Sequence, residues 1–430
     1  MKKRLLSALC AVMLLICAVP MASAQTGDAA RRADALTVLH LLSEDPGRDL
    51  TAPATRAQAA VLLVRLAGGE KKPDTDGWFA GFRDVPDWAR TAVNYANRRG
   101  WISGVSNVQF DPNGHLNADA WCAMLLRMLG YSDKTGDFEI SDAAAFAWRI
   151  GLTGRQLIGI LSVGDLAESI YDALDFCYKG TETTVLSRLM DLGVCTASAA
   201  NALGLLNKDY TARQLADRYL SAAFQLSLYE TEEQVHDEVS SADASGFFIS
   251  ADGLAVTNYH SIEDSIKATA TLLNGETYEV ERVLYYDTGI DIAVIKVSQT
   301  NQSRRTTSAF NHLCLVGTAD IRPGDPVYAI GNPLGLGLAI SSGIIGSTAH
   351  ELDRYALPCI VNSADISRGS SGGALMNAHG QVIGVTSGAY TYGNNMYLAV
   401  PVDPVMAADL TVSGWTLKEV KAFEAAKDKD

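Results

Sequence analysis

The spacing of apolar residues changes near residue 220 of this 430-residue chain. Before that point, apolar residues recur at intervals of three and four, which is typical of amphipathic helices. After it, short β-branched runs are separated by Gly, Asn and Asp turns, which is typical of strands and hairpins. The pattern predicts a multi-domain protein, with an all-α domain over residues 25–215 and an all-β domain over residues 220–412.

The helical part contains two similar helix sequences, 62 residues apart. Thr55 and Asn117 are the expected N-caps of these helices, and Gly68 and Gly130 are the expected stops. A third, weaker copy runs from about residue 142 to residue 174, and the first copy lacks its opening segment. The sequence therefore predicts a degraded three-copy helical repeat.

The central copy carries Phe82-Arg83-Asp84-Val85-Pro86-Asp87-Trp88 and then Phe110-Asp111-Pro112. These strings resemble the S-layer homology repeat, which implies a three-repeat helical domain that holds exported proteins to cell-wall polysaccharide. In that family the polymer contact depends on an Arg that this chain keeps as Arg56 but replaces with Ala118 and Gly164 in the other copies. A helical spacer that has lost its polymer ligand is the alternative.

Residues 1–24 have the pattern of an export signal. Lys2, Lys3 and Arg4 precede an apolar run, and Ala22-Ser23-Ala24 is a small-x-small cleavage site. The apolar run is shorter than the roughly 20 residues that a membrane span needs. We expect cleavage after Ala24 and a location outside the cytoplasm, at the cell surface or cell wall, without a transmembrane span; an uncleaved N-terminal anchor is the alternative.

Charge and cysteine content exclude several kinds of partner. The formal net charge is −14, and it becomes more negative once the cationic signal is removed, which argues against nucleic acid and anionic membranes as partners. Five cysteines remain after residue 24, and none has Cys-x-x-Cys spacing. We expect no disulfide framework, no metal site and no cofactor.

Two strings in the β-rich half offer a histidine base and a carboxylate to orient it. The segment from Ser245 to His260 predicts two strands around an Asp-Gly turn, and it delivers His260 to the end of a strand. Asp291 opens an apolar, β-branched run, where a carboxylate is costly unless a group such as the histidine Nδ1–H pairs with it. Asp287 is the rival carboxylate, but it lies in a polar turn.

A third string, Gly369-Ser370-Ser371-Gly372-Gly373, offers a serine between glycines. The glycines allow a tight turn in which the backbone N–H groups of Gly369 and Ser371 form the expected oxyanion hole. Ser370 is the rival nucleophile, but only Ser371 precedes the Gly-Gly pair. The order His, Asp, Ser occurs in known serine hydrolases, and it favours a catalytic triad of His260, Asp291 and Ser371.

The stretch from about Phe224 to Leu410 resembles trypsin-like serine proteases of the HtrA/Deg group. Besides the triad strings, it has Gly331-Asn332-Pro333-Leu334-Gly335 and Ser342-Gly343-Ile344-Ile345. The resemblance implies a double β-barrel, with His260 and Asp291 from the first barrel and Ser371 from the second, and it implies polypeptide substrates. This chain departs from the pattern at Ser370, where the group has Asn or Asp. No PDZ-sized segment is expected after the barrels, and residues 413–430 are expected to be a tail.

The substrate pocket is expected around Asp365, Ile366, Thr386, Ser387 and Gly388. An acidic residue at the position of Asp365 selects Arg or Lys in trypsin-like digestive enzymes, whereas the HtrA pattern prefers aliphatic side chains, so both preferences stay open. The sequence predicts an exported serine endopeptidase tethered to or near the cell wall by its N-terminal repeats. The alternative is a catalytically inactive protease fold that serves in cell-wall binding or adhesion.

Overall fold

The computed structural model describes residues 28–43, 48–69, 79–181, 183–206, 208–389 and 395–427. Residue contacts divide the chain into two compact units, one of residues 1–148 and 152–206 and the other of residues 149–151 and 207–430. The expected export signal, residues 1–24, lies outside the described residues. Within the described ranges, no helix combines the length and apolar character that crossing a membrane requires.

The first unit is helical, as predicted. One helix includes residues 28–38. The helices that follow are Arg56–Leu66, Asp87–Arg98, Ala118–Met128, Ala143–Arg149, Val163–Ala173, Val185–Asp191 and Ala197–Ala202, with a 3-10 turn at Ile140–Asp142. The expected caps are confirmed, because the side chains of Thr55 and Asn117 accept the N–H groups of Gln58 and Ala120. Gly68 and Gly130 follow the two helix ends in left-handed conformations.

Main-chain hydrogen bonds join three segments of the first unit in a closed ring. The Ala54 N–H donates to the Leu161 carbonyl at 2.8 Å, the Leu161 N–H to the Leu116 carbonyl at 2.9 Å, and the Leu116 N–H to the Ala54 carbonyl at 3.0 Å. A helix begins just after each segment: Arg56–Leu66, Ala118–Met128 and Val163–Ala173. Three segments, each followed by a helix, are therefore joined to one another by equivalent bonds.

The second unit contains two closed six-stranded barrels with antiparallel pairing throughout. Strands β1 to β6 form the first barrel: Ala223–Tyr229, Ala242–Phe248, Leu254–Thr257, Lys267–Leu272, Thr277–Asp287 and Ile292–Asn301. Strands β7 to β12 form the second: Pro326–Gly331, Ala339–His350, Cys359–Asn362, Ala374–Asn377, Val382–Ala389 and Tyr397–Pro401. The helices of this unit are Ala212–Tyr219, Glu232–Asp237, Tyr259–Ile262, Asp403–Ala407 and Leu417–Lys427. The expected double barrel is present.

Each barrel closes around its own apolar core. Aromatic rings fill the first barrel, where Phe248 stacks on Phe310 with ring centroids 4.2 Å apart and Phe224 lies 4.9 Å from Phe248. Aliphatic side chains fill the second barrel, among them Val327, Leu375 and Ile383, all fully buried. The three candidate triad residues, His260, Asp291 and Ser371, lie in connections between strands.

Two polar-looking segments pack more closely with the barrels than their sequences suggested. The helix Ala212–Tyr219 begins within the range expected for the all-α domain, 25–215, but Leu215 is fully buried in a core cluster of the second unit, and the Tyr210 N–H donates to the Ala378 carbonyl at 2.8 Å. The expected tail at 413–430 contains the helix Leu417–Lys427, and Leu417 is buried in the first barrel's core. Only Leu215 is buried in the first of these helices and only Leu417 and Val420 in the second, so the sequence pattern gave little sign of this burial.

Candidate active site

The base candidate His260 lies in the four-residue helix that follows β3, one turn beyond the strand end where it was expected. Two fully buried side chains fix this corner. The Thr257 hydroxyl donates to the Ser245 carbonyl at 2.8 Å, and the Asn258 amide donates to the Asp291 carbonyl at 2.8 Å. These bonds tie the start of the His260 helix to two neighbouring segments of the first barrel.

Asp291 occupies the last position of the turn between β5 and β6. Its backbone is left-handed, with a φ of 61°, a conformation that costs energy in any residue except Gly. The rival carboxylate, Asp287, accepts the N–H groups of Gly289 at 2.8 Å and Ile290 at 3.1 Å. Asp287 therefore shapes the turn, while Asp291 is free to face the histidine.

The Asp291 carboxylate is bound by three donors. The His260 Nδ1 lies 2.8 Å from Oδ2 and 3.0 Å from Oδ1, the His260 backbone N–H lies 2.9 Å from Oδ1, and the Ser387 hydroxyl donates to Oδ2 at 2.7 Å. Burial acts to raise the pKa of Asp291, but the bonds from His260 and Ser387 outweigh it and hold that pKa below its usual value. The carboxylate is therefore ionised near neutral pH and fixes the histidine ring.

The nucleophile candidate Ser371 lies in a turn that only glycines can form. Gly369 and Gly372 have φ values of 92° and 86°. A Cβ on Gly372 would lie 2.2 Å from the Ser245 carbonyl oxygen and 2.3 Å from the Thr257 hydroxyl oxygen. The turn thus lies directly against β2 and against the end of β3, the strand that precedes the His260 helix.

The Ser371 hydroxyl lies 3.4 Å from the Ser387 carbonyl oxygen, to which it donates. Among the described residues, no hydrogen bond joins this hydroxyl to His260, and the backbone N–H groups of Gly369 and Ser371 have no protein acceptor. These two N–H groups remain available for an oxyanion. Ser387 contacts both sides of the site, with its hydroxyl on Asp291 and its carbonyl beside Ser371.

The rival serine, Ser370, is bonded to residues of the turn and of β11. It is 4% exposed, and its hydroxyl accepts the Ser367 N–H at 3.3 Å. Its carbonyl accepts the Thr386 hydroxyl at 2.7 Å and the Gly373 N–H at 3.0 Å. Ser370 is therefore part of the turn's internal bonding.

Three of the expected pocket residues line one cavity of about 200 Å³, namely Asp365, Ile366 and Thr386. The Asp365 carboxylate accepts the Tyr397 hydroxyl at 2.5 Å, and this bond raises the pKa of Tyr397. Gly388 and Ser387 do not border this cavity. The Ser387 side chain instead contacts Asp291, which sequence reasoning missed because serine has no local signature for that contact.

The described residues contain no group of three or more His, Cys, Asp or Glu side chains arranged to hold a metal ion. In the first unit, Arg56 donates to two main-chain oxygens, that of Phe110 at 3.0 Å and that of Ser103 at 2.7 Å. Its guanidinium also lies over the Phe110 ring, 4.8 Å from the centroid. Arg56 thus holds a loop within its own unit.

A family model of the trypsin-like peptidase domain matches residues 244–385. Serine protease HTRA1A of Danio rerio is 31% identical over 219 residues, which are 50% of this chain and 44% of that protein. A probable periplasmic serine endoprotease DegP-like of Halomonas elongata is 35% identical over 177 residues, 40% of this chain and 35% of that protein.

A third relative, serine protease HTRA2, mitochondrial, of Bos taurus, is 37% identical over 171 residues, 39% of this chain and 35% of that protein. The matched segments span less than half the length of these relatives. The solved HtrA-type protease AlgW with tripeptide aligns with 46% of this chain and 62% of its own at 24% identity, with a TM-score of 0.39. From the sequence relatives and the family model, the C-terminal half of this chain carries a trypsin-like peptidase domain of the HtrA/Deg type.

Proposed function

We propose that the second unit is a serine endopeptidase in which Ser371 is the nucleophile, His260 the general base and Asp291 the group that orients it. The observation that carries this proposal is the bonded group of His260, Asp291 and Ser387, with the Ser371 hydroxyl 3.4 Å from the Ser387 carbonyl oxygen. The histidine Nδ1–H is bound to Asp291, which leaves Nε2 as the proton acceptor.

The reaction follows from these roles. Ser371 Oγ attacks the carbonyl carbon of a peptide bond, and its proton passes to His260 Nε2. The N–H groups of Gly369 and Ser371 bind the oxyanion, and one such donor contributes about 3 kcal/mol of transition-state stabilisation. His260 then gives the proton to the leaving amine, and water hydrolyses the acyl-enzyme by the same steps in reverse.

Substrate has to redirect one hydrogen bond before this attack. The Ser371 hydroxyl donates to the Ser387 carbonyl in the free protein, and it must donate to His260 instead. Catalytic hydrogen bonds often form fully only in the substrate complex. We expect the backbone of a bound peptide to donate a hydrogen bond to the Ser387 carbonyl, which releases the Ser371 hydroxyl.

A fluorophosphonate probe tests the assignment, because it labels only an activated serine. The wild type should be labelled and should cleave casein, and Ser371→Ala should do neither. Ser370→Ala is the matched control and should retain labelling, since that hydroxyl bonds within the turn. Labelling of Ser371→Ala at the wild-type rate would remove Ser371 from the mechanism.

One observation favours a second function, an inactive protease fold used in binding. The Ser371 hydroxyl is bonded to Ser387 and not to His260, and Ser370 stands where the resembling group has Asn or Asp. Under this alternative, a correctly folded wild type neither reacts with the probe nor cleaves casein. The same labelling experiment therefore separates the two functions.

We also propose that the protein is exported and that its helical unit, with S-layer homology-like repeats, binds cell-wall polysaccharide. A cavity of about 620 Å³ in that unit supports this, because Arg48, Arg65, Tyr95 and Trp88 line it. Trp88 is 62% exposed. Aromatic faces can stack on sugar rings, and guanidinium groups bind anionic substituents.

Retention on purified cell walls tests the wall-binding proposal. The chain from residue 25 onward should sediment with the walls, and Trp88→Ala should reduce the bound fraction. Trp415→Ala is a matched control, since Trp415 is also exposed but lies in the second unit. Equal retention of wild type and Trp88→Ala would exclude this cavity, and no retention of the wild type would favour the spacer. Mass analysis of the secreted protein tests cleavage after Ala24.

A further inference from the structure

A loop of the second barrel reaches the carboxylate side of the active site. This loop, residues 351–358, joins β8 to β9 and carries Tyr355, which is 9% exposed. The Tyr355 hydroxyl lies 2.8 Å from the Ser387 hydroxyl, which itself donates to Asp291. Tyr355 is thus two hydrogen bonds away from the carboxylate that binds His260.

The direction of these hydrogen bonds follows from the groups involved. An ionised carboxylate only accepts, so the single hydroxyl hydrogen of Ser387 points to Asp291. Ser387 must then accept from Tyr355. The guanidinium of Arg354 has only donors, and it donates to the Tyr355 oxygen. Every hydrogen along this path is therefore directed toward Asp291, an arrangement in which each bond polarises the next.

The loop is also tied to the turn that carries Asp291. The Ala356 N–H donates to the Gly289 carbonyl at 2.7 Å, two residues before Asp291. The Arg354 guanidinium lies over the Tyr355 ring, 4.6 Å from its centroid. The tyrosine hydroxyl is consequently held at a fixed distance from the carboxylate, on a segment that bridges the two barrels.

We propose that Tyr355 is a positioning residue that acts through Ser387 to hold the Asp291 carboxylate where it receives the His260 Nδ1–H. This inference deepens the proposed endopeptidase function and rests on it. Tyr355 itself touches neither the nucleophile nor the histidine in the described contacts. Its effect is to stop Ser387 from rotating away from Asp291.

Glu263, Cys359 and Arg354 are titratable groups near His260 and Asp291. Burial raises the pKa of Glu263, which follows the His260 helix. Burial raises the pKa of the Cys359 thiol to about 11, so this group on β9 is neutral near pH 7. Arg354 contributes a positive charge at the far end of the hydrogen-bonded path.

Tyr355→Phe tests the proposal because it removes the hydroxyl and retains the ring. In the full chain, we expect the plateau rate of fluorophosphonate labelling to fall by roughly three- to tenfold. The fall in labelling rate on the acidic side should move to higher pH. Without the Tyr355 hydroxyl, Ser387 donates more weakly to Asp291, so the carboxylate keeps more negative charge and stabilises the His260 imidazolium better. Tyr328→Phe, a partly buried tyrosine on β7, is the matched control and should leave both readouts unchanged.

A double variant separates positioning from general destabilisation. If Tyr355 acts through Ser387, then Tyr355→Phe should have less than about a twofold effect on labelling in the Ser387→Ala background. A wild-type labelling rate and pH profile for Tyr355→Phe would overturn the proposal. It would also be overturned if the fold-losses in labelling rate of the two single variants multiplied in the double variant.

A spectroscopic readout keeps this inference separate from the proposed function. The His260 Nδ1 proton bound to Asp291 should give a low-field NMR resonance, and Tyr355→Phe should shift it while Tyr328→Phe should not. If the wild type does not react with the probe, the proposed function fails, and the resonance alone decides the positioning role. An unshifted resonance in Tyr355→Phe would then overturn it.

Discussion

The hydroxyl of Ser245 donates to the carbonyl oxygen of Gly369 at 2.7 Å. Ser245 is a fully buried residue of the first barrel, and Gly369 belongs to the nucleophile turn of the second. The same hydroxyl accepts the Asn332 N–H at 2.8 Å, and the Ser245 N–H donates to the Ser371 carbonyl at 2.8 Å. One serine side chain therefore fixes the carbonyl of an expected oxyanion-hole residue.

Ser245→Ala should lower both stability and reactivity. It leaves the Asn332 N–H and the Gly369 carbonyl without their partner in a buried place, which costs about 1–3 kcal/mol of unfolding free energy. Urea unfolding and the fluorophosphonate labelling rate measure the two effects. Ser227→Ala, which removes a hydroxyl bonded to an exposed carboxylate, should change neither by a comparable amount. Wild-type labelling by Ser245→Ala would show that the turn holds its shape without this bond.

Gly372→Ala should disrupt the nucleophile turn. The backbone is left-handed there, which costs an alanine about 1–2 kcal/mol, and the new Cβ would also overlap two oxygens at 2.2 and 2.3 Å. Gly275 has a similar φ of 83°, and a Cβ added there would meet no atom within 4 Å. Gly275→Ala therefore isolates the cost of the backbone conformation. We expect labelling to be lost in Gly372→Ala and retained in Gly275→Ala, with thermal unfolding measured for both. Equal melting temperatures would contradict the overlap.

Asp291→Asn should reduce the acid sensitivity of stability. The folded-state pKa of Asp291 is below its ordinary value of 3.8, so its ionised form stabilises the fold. That stabilisation is present above the unfolded-state pKa and is lost as pH falls through the lower folded-state pKa. We expect the free energy of unfolding to fall less between pH 6 and pH 3 in Asp291→Asn than in wild type.

Urea unfolding at those two pH values measures this difference. Asp320 is at an exposed position, and the free energy of unfolding of Asp320→Asn should fall as much as that of the wild type. An unchanged pH dependence in Asp291→Asn would show that its carboxylate contributes no acid-sensitive stability.

Arg56→Lys should destabilise the helical unit. The planar guanidinium reaches two main-chain oxygens at once, and a single ammonium group cannot reproduce that geometry. We expect the free energy of unfolding of this unit to fall by about 1–2 kcal/mol, as measured by urea titration. Arg90→Lys alters only an exposed pair with Asp87 and should have little effect. An Arg56→Lys variant as stable as wild type would remove the structural role of this arginine.

The sequence predicted structural features whose signals are local. His260 and Asp291, which the structure brings together, each lie beside their own turn or strand signal, as does Ser371, whose catalytic role stays a prediction. Helix caps at Thr55 and Asn117 were predicted for the same reason. The double barrel was predicted from the family resemblance, which rests on the sequence strings of the C-terminal half.

Other parts of the site depend on residues that are distant in sequence. Ser387 reaches Asp291 across 96 residues, and Ser245 reaches Gly369 across 124 residues. Tyr355 has no nearby pattern that predicts its contact with Ser387. Such contacts arise when two barrels meet, and a single sequence contains no signal of their register. The burial of Leu215 escaped prediction because its helix has one buried residue.

The ring of hydrogen bonds through Ala54, Leu116 and Leu161 has a consequence for how the helical unit could change its length. In an open array of repeats, an end copy can be deleted and the remaining copies keep their interfaces. In this ring each segment donates to one neighbour and accepts from the other, so deleting any one segment with its helix breaks two of the three bonds. The three segments are therefore expected to be retained or lost together.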